Sequence, residues 1–156
     1  RSAHMLGNEE EIIFAATDLL ADTKLAPELS NEAHYYRAKA YLDAGKTDGA
    51  MEDLKVLAKD TRNVYGAEAK YKVAQIYFDG GQTDKAEQEV LNYIEVSTPH
   101  TYWLARSFVL LADVYTKLGR NLDAKQYLLS LKQNYQADDD IAGMIESRLE
   151  KLKTEN

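Results

Sequence analysis

At 156 residues and 45% hydrophobic content, the chain holds enough apolar material for a packed core and lies outside the disordered range of composition. Its formal net charge of −7 offers no general positive field for phosphates, which argues against nucleic acid as a partner. There is no cysteine, so disulfides and thiolate metal sites are ruled out, and no apolar run approaches the roughly 18 residues that direct membrane insertion of a helix requires.

Along the chain, Arg1-Ser2-Ala3-His4-Met5 reads as a cloning remnant, because His-Met is what a common restriction site at a start codon encodes. Residues 6–156 are expected to form a single domain. The first element is a helix over about 8–23, with Ile12, Ile13, Ala16, Leu19 and Leu20 at helical spacing. It reads as the second helix of a pair whose first helix is missing, so the chain is expected to be the carboxyl-terminal part of a longer array. Ile12, Ile13 and Leu19 would then be available for self-association with another copy.

Three copies of one pattern follow, at about 27–61, 63–97 and 98–136, in register with turn glycines Gly45, Gly81 and Gly119. Each glycine is preceded by an alanine (Ala38, Ala74, Ala112) and a tyrosine (Tyr41, Tyr77, Tyr115). It is followed by Ala50, Ala86 and Ala124, then Leu54, Val90 and Leu128, then Leu57, Tyr93 and Leu131. Apolar stripes on both sides of a glycine predict an antiparallel helix pair, A and B, with the glycine in the left-handed conformation that ends helix A. Pro27 and Thr98-Pro99 are expected to open the first and third A helices, and Thr47, Thr83 and Asn121 to cap the B helices. The closing element is a helix over about 139–153, opened by Asp138-Asp139-Asp140 and carrying Ile141, Ile145, Leu149 and Leu152 on one face.

The registered alanine, tyrosine, glycine and alanine positions resemble the tetratricopeptide repeat family. That resemblance implies an all-α, right-handed superhelical solenoid of antiparallel helix pairs with a C-terminal capping helix. The segment Thr98 to Arg106, with Tyr127 to Leu131, is similar to the end of long bacterial cell-envelope arrays, which implies a periplasmic or outer-membrane-associated setting over a cytoplasmic one. The copies depart from the family at several points: its small residue late in helix B is replaced by Leu57, Tyr93 and Leu131, and its closing proline is absent. Its tryptophan-like position, eleven before the glycine, holds His34, Lys70 and Phe108, and its leucine eight before the glycine is Arg37 in the first copy.

No nucleophile, base and orienting group form a set, so the chain is expected not to be an enzyme and to need no cofactor or catalytic metal. The acidic run 138–140 lacks the spaced ligands of a calcium loop. What the resemblance implies is a protein-interaction scaffold that binds a protein or peptide on the concave face of its A helices. The residues expected to line that face are Tyr35, Lys39, Tyr71, Lys72, Gln75, Phe78, Arg106 and Val109. Substitution of Tyr71 and Phe78 is expected to spare the fold. The alternative is a structural cap that ends a longer array and leaves binding to other repeats.

Overall fold

The computed structural model describes residues 3–96 and 98–154, with the side chains of 3–6 excepted. Arg1 and Ser2 of the expected remnant, and Ser97 at the end of the second copy, lie outside the described residues. Among those described there are eight α-helices and no strand: α1 (Ala3–Leu20), α2 (Pro27–Asp43), α3 (Thr47–Leu57), α4 (Val64–Asp79), α5 (Thr83–Glu95), α6 (Thr101–Lys117), α7 (Asn121–Asn134) and α8 (Ile141–Thr154). No described helix is long and apolar enough to cross a membrane. The chain divides into two compact units, Arg1–Val73 and Ala74–Asn156, with the division inside α4.

The turns form for the reason the glycines predict. Gly45, Gly81 and Gly119 all sit at positive φ, between 77° and 80°, a region that costs residues with a Cβ but not glycine. At each turn the N–H after the glycine donates back to the carbonyl of the repeat tyrosine: Lys46 to Tyr41 at 2.7 Å, Gln82 to Tyr77 at 2.8 Å and Arg120 to Tyr115 at 2.8 Å. The glycine N–H itself bonds Leu42, Phe78 or Thr116. Together these are the paired bonds of a Schellman motif, which satisfies carbonyls that the helix end would otherwise leave bare.

Helix starts differ from expectation. Thr47, Thr83 and Asn121 are first helical residues and not caps. The preceding Lys46, Gln82 and Arg120 occupy the cap position, and their side chains make no cap bond. Their backbones are used on both sides: the N–H closes the Schellman turn and the carbonyl accepts the first bond of the next helix. The tight turn thereby moves the cap back by one residue. Likewise, α6 begins at Thr101 and not at Pro99. The Thr98 hydroxyl accepts from the His100 N–H at 3.1 Å, forming a local turn ahead of the helix. Pro27 does stand in the first turn of α2, where its missing N–H has no cost.

In the first unit α2 packs against α1 and α3. Its Ala38 is 1% exposed, and α3 answers with Ala50 at 0%, Leu54 at 2% and Leu57 at 3%. Small residues at the seam let the helix axes approach, and each buried leucine contributes about 2 kcal/mol of transfer free energy. In the second unit α6 packs on α5 and α7, and α8 lies on both α6 and α7. The expected alanines and the apolar positions Val90, Tyr93, Leu128, Leu131, Ile141, Ile145 and Leu152 are buried there. Of the repeat tyrosines only Tyr115 is fully buried. Tyr41 and Tyr77 are half-buried, the first with its ring laid against Gly49 and the second under Lys85, 5.6 Å from the ring centre. Asp139 is the member of the acidic run that starts α8, accepting from the Ile141 N–H at 2.9 Å.

Candidate functional site

The eight expected binding residues divide evenly between the two units. In the first, α2 brings Tyr35 and Lys39 to one face because they are four residues apart, and α4 does the same for Glu68 and Lys72. The Tyr35 hydroxyl donates to the Glu68 carboxylate at 3.1 Å, and the Lys72 Nζ lies 2.6 Å from the same group. Lys39 stands over the Tyr35 ring at 5.4 Å, and Tyr65 packs against that ring at 4.4 Å between centres. Burial first, and then the charge and hydrogen bond of Glu68, push the Tyr35 phenol up to about 12. Tyr35 is therefore neutral and a donor at any physiological pH. Tyr71 is only 7% exposed, so it supports this face from beneath and offers a partner almost no surface.

In the second unit the four residues do not converge. Val109 is 2% exposed and belongs to the core of α6. The Gln75 side-chain amide donates to Asp79 one turn on, at 2.7 Å. Arg106 lies over the Trp103 ring at 5.8 Å and donates to the Tyr102 hydroxyl at 3.2 Å, which in turn donates to Asp140 at 2.8 Å. Burial and the bond to Asp140 raise the Tyr102 phenol. Arg106 is thus built into a chain linking the start of α6 to the start of α8.

Phe78 lies instead in a cleft of about 400 Å³ between the end of α4, the last two turns of α6 and α8. Phe78 provides its accessible apolar surface, while Leu152 lines it but is only 4% exposed and belongs to the core. Lys117, Arg148 and Lys151 face it with one carboxylate, Asp113, which Arg148 grips with two bonds of 2.8 and 3.0 Å. That fork holds the guanidinium flat and fixes α8 to α6. Sequence reading located Phe78 by register but not the α8 residues. The signal was there: Arg148 and Lys151 follow Met144 by four and seven residues, which places basic groups beside the apolar face that packs the helix.

Where the first copy departs from the pattern, the structure supplies a partner. Asp53 of α3, 1% exposed, accepts from Arg37 Nε at 2.9 Å and Nη2 at 2.6 Å, and meets His34 Nδ1 at 2.8 Å. A carboxylate only accepts, so Nδ1 carries the proton there. Arg37 also donates to the Thr17 hydroxyl of α1 at 3.0 Å, and the bonds to Asp53 raise its already high pKa. This cluster is structural. Among the described residues no group of three histidine, aspartate or glutamate side chains is arranged to hold a metal ion.

Comparison with known proteins adds two findings. Residues 32–60 match one tetratricopeptide repeat family, and residues 105–134 match a second family of the same description. No curated protein and no solved structure matches the chain. The turn bonds, the buried alanines and these matches agree, and the chain carries tetratricopeptide repeats, helix pairs that generally mediate protein–protein interaction.

Proposed function

We propose that the chain is a binding module for a protein partner and not a catalyst, and that the partner lies on the faces of the A helices. The observation that carries this reading is the cleft beside α8: apolar Phe78 beside Lys117 and Lys151, with Arg148 held by Asp113, in a chain whose net charge is −7. A concave, partly apolar surface with a few convergent cations suits an acidic segment bearing a large apolar side chain. In the first unit Tyr35, Lys39 and Lys72 form the corresponding face, with Glu68 orienting both the phenol and an ammonium. Tyr71 and Val109 act as supports, and Gln75 and Arg106 are engaged by neighbouring side chains outside the cleft. The similarity of Thr98 to Arg106 and Tyr127 to Leu131 to envelope arrays supports an envelope setting, which fractionation of expressing cells tests.

The binding test begins with peptides selected from a random display library on the whole chain, whose affinities are then measured by titration calorimetry. Acidic peptides with an aromatic or aliphatic anchor are expected. Phe78→Ala, and Lys117→Glu with Lys151→Glu, should each weaken them by about thirtyfold while circular dichroism melts stay near wild type. Selected peptides without acidic character, or equal affinity in all variants, would remove the cleft from the reading.

A further inference from the structure

The ligand that this cleft calls for is displayed by the chain itself. Helix α1 turns Glu9, Ala16 and half-buried Ile13 and Leu20 inward, and leaves Gly7, Glu11, Phe14 and Asp18 as a stripe on its outer side with Glu10 beside it. Phe14 is 74% exposed, the highest value among the large hydrophobic residues of the described chain. Single exposed apolar residues are ordinary on protein surfaces. What distinguishes Phe14 is its setting: a phenyl ring flanked by three carboxylates, on a helix with no lysine or arginine between Ala3 and Leu20.

We infer that the cleft of one copy receives Phe14 of a second copy. This rests on the reading of the cleft as a binding site and names its occupant. The charges are complementary: Glu10, Glu11 and Asp18 surround the ring, and Lys117 and Lys151 stand beside Phe78, where Arg148 is already held by Asp113. Phe14 is exposed and the cleft is open, so both surfaces are available to a second copy. Of the residues that the apolar pattern indicated, Ile12 and Leu19 are exposed and Ile13 is half-buried, while Phe14, outside that pattern, is the most exposed of all. Since the two surfaces differ, the contact is heterologous. It builds chains of copies unless two molecules exchange helices reciprocally and close a dimer.

Sedimentation velocity of the full chain over a range of concentrations tests this. Wild type should associate, and more weakly as salt rises, because paired surface charges are screened. Phe14→Ser, and separately Lys117→Glu with Lys151→Glu, should each weaken association by at least about thirtyfold with unchanged melting. Mixing the two variants should restore a one-to-one complex, since one keeps the cleft and the other keeps the ring. A wild type that stays monomeric, a Phe14→Ser variant that associates like wild type, or folded variants that fail to complement would overturn the inference. If association fails but the lysine variant still loses the display-selected peptides, only the second-copy occupant is wrong. If those peptides are unaffected too, the cleft reading falls with it.

Discussion

Eleven and eight residues before the turn glycine, and eight after it, the pair α2–α3 carries His34, Arg37 and Asp53, whereas α6–α7 carries Phe108, Leu111 and Tyr127. The turns are the same and the neighbouring alanines are equally buried, so the backbone architecture tolerates either filling. In the first unit, the interior of the seam is a carboxylate held by three donors. In the second it is a fully buried leucine beside an aromatic cluster, with Tyr127 5.5 Å from Tyr115 and 6.3 Å from Phe108 between ring centres. Burial with a full set of partners makes the polar seam an all-or-nothing arrangement, while the apolar one degrades gradually.

The largest expected effect breaks the polar seam. Asp53→Ala strands Arg37 and His34 and should cost about 3 kcal/mol, as removal of one partner from a buried ion pair does. Adding Arg37→Met should recover most of that loss, because the stranded charge is then gone. In α6–α7, Leu111→Ala should cost about 3 kcal/mol through a cavity, with no second polar change able to repair it. Urea denaturation of the four proteins measures this. If the double variant is no more stable than Asp53→Ala, the seam is not governed by charge pairing.

A smaller effect is expected where α4 starts. A Cβ at Gly66 would lie 1.8 Å from the Asp60 carbonyl oxygen and 2.6 Å from that of Leu57, and backbone atoms cannot swing aside. Gly66→Ala should therefore destabilise by about 2 kcal/mol, although alanine is the better helix former. At the same register the third copy holds Leu104, half-buried, so the close approach is particular to the turn after α3. An unchanged melting temperature in Gly66→Ala would show that this turn follows another path.

The helices and their turns were legible because they depend on local chemistry: glycine at positive φ, alanine at a close seam, apolar residues at helical spacing. Asp53 was not, since a lone aspartate within a helix reads as a solvent-facing residue until Arg37 and His34 are seen to converge on it from α2. Helix starts were misplaced because the turn uses backbone groups where a threonine or asparagine cap was expected. The candidate site was partly legible: register found Phe78, Tyr35 and Lys72 on α2 and α4. It could not show that Tyr71 and Val109 turn inward, nor that α8 lends its basic residues to a cleft, because both depend on how far each helix is rotated about its axis.

Exchanging one seam for the other sharpens the comparison with a still smaller effect. His34→Phe, Arg37→Leu and Asp53→Tyr together place the α6–α7 residues in α2–α3, and should raise global stability by about 1 kcal/mol, as apolar replacement of a buried ion pair often does. The same change removes the bond from Arg37 to Thr17. Hydrogen exchange in α1 should therefore quicken by about fivefold, the equivalent of one lost bond of about 1 kcal/mol, even as the rest of the chain is protected longer. Equal protection throughout would mean that Arg37 does not tie α1 to α2.

The smallest effect appears only in alkaline solution and separates burial from charge at the first-unit face. Tyr35 is pushed up to about 12, by burial first and by Glu68 second, whereas a phenol in an unfolded chain titrates near 10. The folded state thus holds the proton more tightly. The contribution from this group is fully present below about pH 10 and is lost as pH rises towards 12. Difference absorbance of phenolate between wild type and Tyr35→Phe isolates the group from the other ten tyrosines. Glu68→Gln should lower its pKa but leave it above the unfolded value, because the larger cause is untouched. A return to about 10 in that variant would make the carboxylate the whole cause. It would also mean that the Tyr35 ring is more open to solvent, and to a partner, than its packing against Tyr65 and under Lys39 indicates.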